Sequence, residues 1–202
     1  MRAKNLSIVF AALFVIAGAV LASGARTEGE VPAPPAIGAT IDDFTLPDVD
    51  NKDRSLKSLA GKNGTVLIFI AVQCPVSNAY NERMAKLADD YKAKGIAVVG
   101  INSNVAEDAA AVKAHAAEHK LSFPILKDPG NKIADRLGAS VTPEAYFIDA
   151  NNKLLYHGRI DNSRNAAQVE SNDLRNALDS ALSGKAVEKT EAKAFGCSIK
   201  RG

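Results

Sequence analysis

The chain has no tryptophan, only two cysteines and an aromatic content of 5% in 202 residues. It also has no large charge excess, because 25 lysines and arginines face 23 aspartates and glutamates. A balanced chain lacks the basic surface that nucleic acid requires, so we predict no nucleic-acid partner. Two cysteines exclude a framework of several disulfides, although Cys74 and Cys197 can form one. The apolar content of 47% is enough for a full hydrophobic core.

The longest apolar run lies at the N-terminus. Arg2 and Lys4 precede the uncharged stretch 6–22, and the small residues 23–25 follow it. This order is typical of a secretory signal peptide, so we predict that residues 1–25 are removed and that the protein is periplasmic or secreted. An uncleaved anchor is the alternative, because the run is near the lower limit of about 17–25 residues for a membrane-spanning helix. This leader is the one predicted contact with a membrane.

The rest of the chain divides into three parts. Residues 26–36 are a polar, proline-rich linker, residues 37–185 a folded domain, and residues 186–202 a polar tail that carries the second cysteine. Within the domain, β-branched apolar runs alternate with helical patterns, which predicts an α/β fold with a mixed central sheet flanked by helices. A turn-rich stretch between 44–47 and 54–56 predicts an N-terminal β-hairpin extension. The main strands are predicted at 65–71, 96–101, 123–126, 145–149 and 153–158, and helices at about 76–95, 106–119, 133–137 and 172–182.

Cys74 stands where the predicted strand 65–71 leads into a helix, and Pro75 fits the first helical position. A thiol there faces unpaired N–H groups and the positive end of the helix dipole, which favours the thiolate. Because the thiolate is the nucleophile in thiol–disulfide exchange, we predict a reactive Cys74; an inert buried cysteine is the alternative. Ser77 occupies the position of the second cysteine of a CxxC pair. It either donates a hydrogen bond to the thiolate or satisfies backbone groups of the first turn.

A second signal is the dipeptide Thr142-Pro143, which directly precedes the predicted strand 145–149. A bond before proline is a favourable place for a cis peptide. A turn of this kind exposes a backbone edge with which an extended peptide substrate can pair.

These features together resemble the thioredoxin fold: a strand, Cys-Pro and a helix, followed later by Thr-Pro and another strand. The longer spacing and the extra helix resemble its redoxin branch, which contains the alkyl hydroperoxide reductase and thiol-specific antioxidant proteins. Several segments resemble an exported, peroxiredoxin-like group of that branch: VVGINSN (98–104), FPILKD (123–128), TPEAYFID (142–149), HGRIDNSR (157–164), LRNALDSALSGK (174–185) and FGCSIK (195–200). The resemblance implies a thioredoxin-like domain with Cys74 at its active site and Pro75, Ser77, Thr142 and Pro143 in support. It calls for no cofactor and no bound metal.

Peroxidase activity is not expected, because the peroxiredoxin motif Pro-x-x-x-Thr/Ser-x-x-Cys is absent. Counting back from Cys74, the proline and threonine positions hold Leu67 and Ala71. Counting back from Ser77, they hold Ile70 and Cys74. Neither register supplies the hydroxyl that orients a peroxide in that family.

Cys197 lies in a polar tail beside Gly196, which gives the backbone freedom. A coil of about 19 residues spans roughly 20–25 Å, so the tail can present Cys197 to Cys74 as a resolving thiol. A permanent disulfide clip and an exposed thiol that pairs with another chain are the alternatives.

The sequence therefore favours an exported thiol–disulfide oxidoreductase in which Cys74 attacks a disulfide or oxidised thiol of a partner protein. Cys197 or an external thiol then resolves the mixed disulfide. One alternative is a soft Cu(I) site that contains Cys74, Cys197 and His157, as in copper chaperones that resemble redoxins. Another is a degenerate redoxin with a structural role. His115 and His119 have the spacing of a metal-binding helix face, but their charged neighbours favour a solvated face.

Overall fold

The computed structural model describes residues 31–202; the predicted leader and the first part of the linker lie outside the described residues. The domain alternates strands with helices along the chain. The helices are α1 Leu56–Leu59, α2 Pro75–Asn78, α3 Asn81–Lys92, α4 Ala109–Glu118, α5 Lys132–Leu137 and α6 Asp173–Leu182. The strands are β1 Thr45–Pro47, β2 Asp53–Ser55, β3 Gly64–Phe69, β4 Ile96–Asn102, β5 Ile125–Lys127, β6 Val141–Thr142, β7 Glu144–Ile148, β8 Leu154–Gly158, β9 Glu191–Ala192 and β10 Cys197–Ser198.

Six strands form the central sheet in the order β5-β4-β3-β7-β8-β9. β3, β4 and β5 are parallel, β7 is antiparallel to β3 and to β8, and β9 is parallel to β8. This arrangement confirms the predicted mixed sheet. β3 is buried along its whole length because it lies inside the sheet with both faces covered.

The core has two halves, one on each face of the sheet, because successive side chains of β3 point to opposite faces. Val66 and Ile68 belong to one half, which α3, α4 and α6 cover with Met84, Val112 and Leu178 among others. Leu67 and Phe69 belong to the other half, where Leu56 of α1 and Ile133 and Leu137 of α5 pack. This packing of helices on both faces fixes the end of β3, which leads to Cys74.

β1 and β2 pair antiparallel and confirm the predicted N-terminal hairpin. The helix predicted at about 76–95 is instead two helices. The backbone N–H of Tyr80 bonds to the Ser77 carbonyl oxygen, three residues back, at 2.9 Å. That tighter turn ends α2 before α3 begins at Asn81.

Residues 186–202, predicted as a polar tail, contain two short strands. β9 joins the edge of the central sheet beside β8, whereas β10 pairs antiparallel with β6 in a separate two-stranded sheet. Lys189 also bonds to Asp173 of α6 at 2.6 Å. The tail is therefore attached to the domain both before and at the second cysteine. Within the described part of the chain, none of the helices is long and apolar enough to span a bilayer.

Candidate redox site

Cys197 lies beside Cys74, because it pairs with Thr142, whose carbonyl oxygen contacts the Cys74 thiol. Both cysteines are free thiols in this structure. The Cys74 thiol donates to the Thr142 carbonyl oxygen at 3.3 Å, and its sulfur accepts from the Ser77 backbone N–H at 3.2 Å. The predicted residues Cys74, Thr142 and Cys197 thus lie together, although they are far apart in the sequence.

The environments of the two sulfurs shift their pKa values in opposite directions. Burial raises the pKa of Cys74, but the neighbouring Cys197 and Thr142 side chains and the backbone N–H groups of Ser77 and Cys197 outweigh it, so this pKa lies below the ordinary value of 9.0. Burial and the neighbouring Cys74 sulfur together raise the pKa of Cys197, although the Val76 backbone N–H opposes them. Cys74 is therefore the first of the two to ionise.

The loop between β3 and α2 holds Cys74 in place through side chains that bond to its backbone. Both oxygens of the Glu107 carboxylate accept a backbone N–H, one from Val72 and one from Gln73, each at 2.9 Å. Asn78 donates to the Val72 carbonyl oxygen at 2.9 Å. The Ser77 hydroxyl accepts from the Ala71 N–H at 3.2 Å rather than bonding to the sulfur. The Ser77 side chain thus bonds to the backbone of the segment before Cys74 and takes neither of the two roles predicted for it.

Glu107 is a residue next to the site that the sequence did not reveal. It is buried, and it also accepts from the side-chain amides of Asn102 and Asn104, at 2.5 and 3.1 Å. Burial raises its pKa, but the two backbone N–H donors and these amides outweigh the effect and lower it. The ammonium of Lys127 contacts the carbonyl oxygen of Glu107 and the side chain of Asn102. Glu107 is thus an ionised carboxylate that fixes the loop before Cys74.

A second buried carboxylate fixes the segment before β7. The Thr142-Pro143 peptide bond is cis, as expected for this dipeptide. Glu144 accepts the backbone N–H groups of Ser140 and Val141, at 2.8 and 3.1 Å, and pairs with the His157 ring at 2.6 Å. Burial raises the pKa of Glu144, and the bonds from His157 and the backbone outweigh it. His157 also stacks on Tyr146, with ring centroids 4.4 Å apart. His157 therefore supports β6 through Glu144.

The tail covers the sulfur of Cys74. Only 2% of Cys74 is exposed, whereas Cys197 is half-buried. In β10, Cys197 lies opposite Thr142 and Ser198 opposite Val141. The ring of Phe195 packs edge-on against Tyr80, with centroids 6.3 Å apart. The predicted approach of Cys197 to Cys74 is therefore realised by a paired strand rather than by a free coil.

His115 of α4 differs from the prediction of a solvated face, whereas His119, which follows α4, is partly exposed. His115 is buried, and its Nε2 lies 3.1 Å from the Asn81 amide nitrogen. Burial lowers the pKa of His115. The prediction failed because α4 turns this residue toward α3. Among residues 31–202, no three metal-binding side chains cluster at a distance suited to a metal ion.

Comparison with known proteins places the chain in a family. The model of the AhpC/TSA family matches residues 37–157. The thiol-disulfide oxidoreductase ResA of Bacillus thuringiensis is 30% identical over 119 residues, which is 59% of this chain and 67% of the relative. The chloroplastic peroxiredoxin Q of Triticum aestivum is 29% identical over 126 residues, covering 59% of this chain and 57% of the relative.

A solved structure extends the similarity to most of the described residues. The crystal structure of a hypothetical protein from Sinorhizobium meliloti has a TM-score of 0.78 and 35% identity, and the match covers 83% of this chain and 96% of that one. The matched region, residues 37–157, is more than half of the chain. It includes Cys74, Glu107, Thr142 and Glu144. The chain is a member of the AhpC/TSA family, with a thioredoxin-like fold.

Proposed function

We propose that this chain is an exported thiol–disulfide oxidoreductase whose redox couple is Cys74 and Cys197. The observation that carries the proposal is the pairing of β10 with β6, which puts Cys197 opposite Thr142, the residue whose carbonyl oxygen contacts the Cys74 thiol at 3.3 Å. Membership of the AhpC/TSA family and the relative named as a thiol-disulfide oxidoreductase support the same reaction class.

The reduced protein donates two electrons to a disulfide of a partner protein. The Cys74 thiolate attacks one partner sulfur, the partner disulfide breaks, and its other sulfur leaves as a thiolate that takes up a proton. Cys197, once deprotonated, attacks Cys74 in the mixed disulfide. That step releases the first partner sulfur as a thiolate and leaves a Cys74–Cys197 disulfide. The same steps in reverse oxidise a partner dithiol, so the pair of Cys74 and Cys197 supports either reaction.

Intact mass and insulin reduction test this function. Oxidation of the wild-type chain with diamide should remove two hydrogens from its mass, and neither Cys74→Ser nor Cys197→Ser should show that loss. Insulin reduction in the presence of dithiothreitol should depend on Cys74. A Cys74→Ala variant that reduces insulin as fast as the wild type would contradict the proposal, as would two free thiols in the diamide-treated wild type.

The surroundings of Cys74 favour disulfide exchange over peroxide reduction. Leu67 and Ala71, which hold the proline and threonine positions of the peroxiredoxin motif, are both buried and apolar. Neither side chain can donate a hydrogen bond to a peroxide. Consumption of hydrogen peroxide at a rate comparable to insulin reduction would contradict this assignment.

A two-coordinate Cu(I) site is the second candidate, because two adjacent sulfurs are soft ligands that Cu(I) accepts. The structure disfavours His157 as a third ligand, since its Nε2 pairs with Glu144 at 2.6 Å. Titration of the reduced chain with Cu(I) in the presence of a competing chelator separates the candidates. Tight binding that Cys197→Ser abolishes and His157→Ala leaves unchanged would favour copper.

Export remains part of the proposal through the leader at residues 1–25. The mass of the chain recovered from a bacterial periplasm should correspond to cleavage after Ala25. A membrane-bound chain of full mass would instead favour the uncleaved anchor, with the redox domain unchanged.

A further inference from the structure

We infer that β10 occupies the edge at which a partner protein binds, and that the partners are extended segments in which glycine precedes the reacting cysteine. The tail then acts as an intramolecular stand-in for the partner strand. This inference rests on the proposed function and specifies the partner class of the same site.

The edge in question is the backbone of β6. In the described part of the chain, β6 pairs with β10 and with no other strand. The pairing is continued by a bond from the Ile199 N–H to the Ser140 carbonyl oxygen at 2.9 Å. Without β10, these backbone groups would form an open strand edge, and such an edge pairs with any extended peptide. Because Glu144 accepts the N–H groups of Ser140 and Val141 independently of β10, these bonds hold the segment when the tail leaves.

The register of β10 places a sulfur on Cys74. Cys197 lies opposite Thr142, and the carbonyl oxygen of Thr142 contacts the Cys74 thiol at 3.3 Å. A partner strand in the same register therefore brings its own cysteine to the sulfur that attacks it. Since Cys74 itself is almost fully buried beneath the tail, a polypeptide reaches it only by taking the place of β10.

Gly196 defines a requirement for the residue before that cysteine. A Cβ atom at position 196 would overlap the backbone carbonyl of Thr142. Backbone cannot move aside as a flexible side chain can, so a larger residue pushes the strand away from the edge. A partner strand in the same register meets the same carbonyl. The site should therefore prefer Gly-Cys segments over segments with any other residue at this position.

The end of the tail is attached by hydrogen bonds, by an ion pair and by one buried apolar side chain, Ile199. Beyond β10, Lys200 donates its N–H to the Asn104 side chain at 2.8 Å, and Val105 donates to the Lys200 carbonyl oxygen at 3.1 Å. Arg201 bonds to Asp135 and to the Ala139 carbonyl oxygen, at 2.9 and 2.7 Å. These contacts lie outside the central sheet and near the chain terminus. Release of β10 therefore requires that these bonds break and that Ile199 leaves the half of the core that α1 and α5 cover, while the central sheet stays paired.

The exchange and the strand replacement fit into one sequence. The partner strand displaces β10, and its in-register sulfur forms a bond to Cys74 while its former disulfide partner leaves as a thiolate. The tail then returns, and the Cys197 thiolate attacks Cys74, which expels the partner sulfur as a thiolate and forms the Cys74–Cys197 disulfide. Because the tail and the partner compete for one edge, the return of β10 also displaces the reduced product.

Two peptides test the inference on the full chain carrying Cys197→Ser, in which a mixed disulfide cannot be resolved. The first peptide has the sequence of residues 193–200, with its cysteine linked by a disulfide to 2-nitro-5-thiobenzoate. The second is identical except for alanine at the glycine position. The release of the chromophore gives the rate, and intact mass counts the peptide attached to Cys74. The glycine peptide should react about tenfold faster, since overpacking against a fixed backbone typically costs about 1–3 kcal/mol.

A loosened tail provides the second arm. Arg201→Ala should raise the rate of the glycine peptide by about threefold, because a half-exposed ion pair and its hydrogen bond no longer hold the tail. Arg175→Ala removes an ion pair to Asp90 away from the tail and serves as the matched control, with no rise expected. Equal rates for the two peptides, or no rise with Arg201→Ala, would overturn the inference and leave the proposed function standing. A Cys74 that fails to react even with the small reagent 5,5′-dithiobis(2-nitrobenzoate) would overturn both.

Discussion

The sulfur of Cys74 combines deep burial with several hydrogen-bond donors. Burial alone would keep a thiol protonated, since a charge in a poorly solvated place is costly. The neighbouring Cys197 and Thr142 side chains and the Ser77 N–H at 3.2 Å compensate for burial and lower the pKa of Cys74. The ionisation of Cys74 therefore depends on a residue of the tail as well as on its own loop.

We expect Cys197→Ala to raise the pKa of Cys74, because the variant loses the thiol donor while β10 stays paired. Cys197→Ser should raise it less, since a hydroxyl can still donate a hydrogen bond. The rate of iodoacetamide modification of Cys74 as a function of pH, followed by mass, measures the midpoint. With Cys74 in the wild type titrating below 9.0, an unchanged midpoint in the alanine variant would show that Cys197 does not stabilise the thiolate.

Glu107→Gln should destabilise the fold at neutral pH by about 1–3 kcal/mol in the free energy of unfolding, because two backbone N–H groups and two side-chain amides lose a carboxylate acceptor. Glutamine has a single acceptor oxygen and presents an amide to donors. Urea unfolding measures the change. Glu118→Gln, at an exposed position at the end of α4, the helix that follows Glu107, is the matched control and should be neutral.

The pH dependence of that difference has a definite sign. Glu107 titrates below its ordinary value of 4.5 in the folded chain, so its ionised form stabilises the fold above that pH. The stability it contributes is lost as the pH falls through the folded pKa. The difference between the wild type and Glu107→Gln should therefore be largest at neutral pH and shrink below pH 4.5. A difference that grows on acidification would exclude this role for the carboxylate.

The site was predictable where a residue type carries the chemistry. Cys74, Cys197 and Thr142-Pro143 were identified from the sequence, and the structure brings them together. Glu107 was not identified, because its role depends on the fold rather than on its neighbours in sequence. The ends of the parallel strands β3 and β4 meet at one edge of the sheet, and only this pairing brings the residues after β4 to the loop before Cys74.

At the level of elements, the strands buried on both faces and the N-terminal hairpin followed from apolar runs and turn residues. β9 and β10 did not, because each has two residues and neither shows an apolar alternation. Such strands form through pairing with edges that already exist in the folded domain. The break between α2 and α3 was missed for a similar reason, since both helices present apolar residues at one helical spacing.

Gly196→Ala should detach β10 from β6, because the added methyl group meets the Thr142 carbonyl. We expect N-ethylmaleimide to modify Cys74 about tenfold faster in the double variant Cys197→Ser, Gly196→Ala than in Cys197→Ser alone. The reason is that the state in which β10 covers Cys74 becomes less stable relative to the open state. Intact mass gives the rate. Ser198→Ala, at an exposed position of the same strand, should leave the rate unchanged. An unchanged rate for Gly196→Ala would show that the strand tolerates a side chain there.

At the scale of the whole molecule, a Cys74–Cys197 disulfide would close a loop of roughly 120 residues, which restricts the unfolded chain. The oxidised protein should therefore be more stable toward urea than the reduced protein, by up to about 4 kcal/mol. Unfolding curves with and without dithiothreitol measure the difference, and Cys197→Ser removes it by design. Equal curves for the two forms of the wild type would mean that the bond does not form.

The position of β10 in the chain has a consequence for biogenesis. β10 follows every strand of the central sheet, so a chain exported as we propose would deliver Cys74 across the membrane long before Cys197. During that interval the domain can begin to fold while Cys74 is uncovered and Cys197 is not yet present. Cys74 of such a molecule would then form mixed disulfides with glutathione or with other folding proteins until β10 pairs with β6 and covers it.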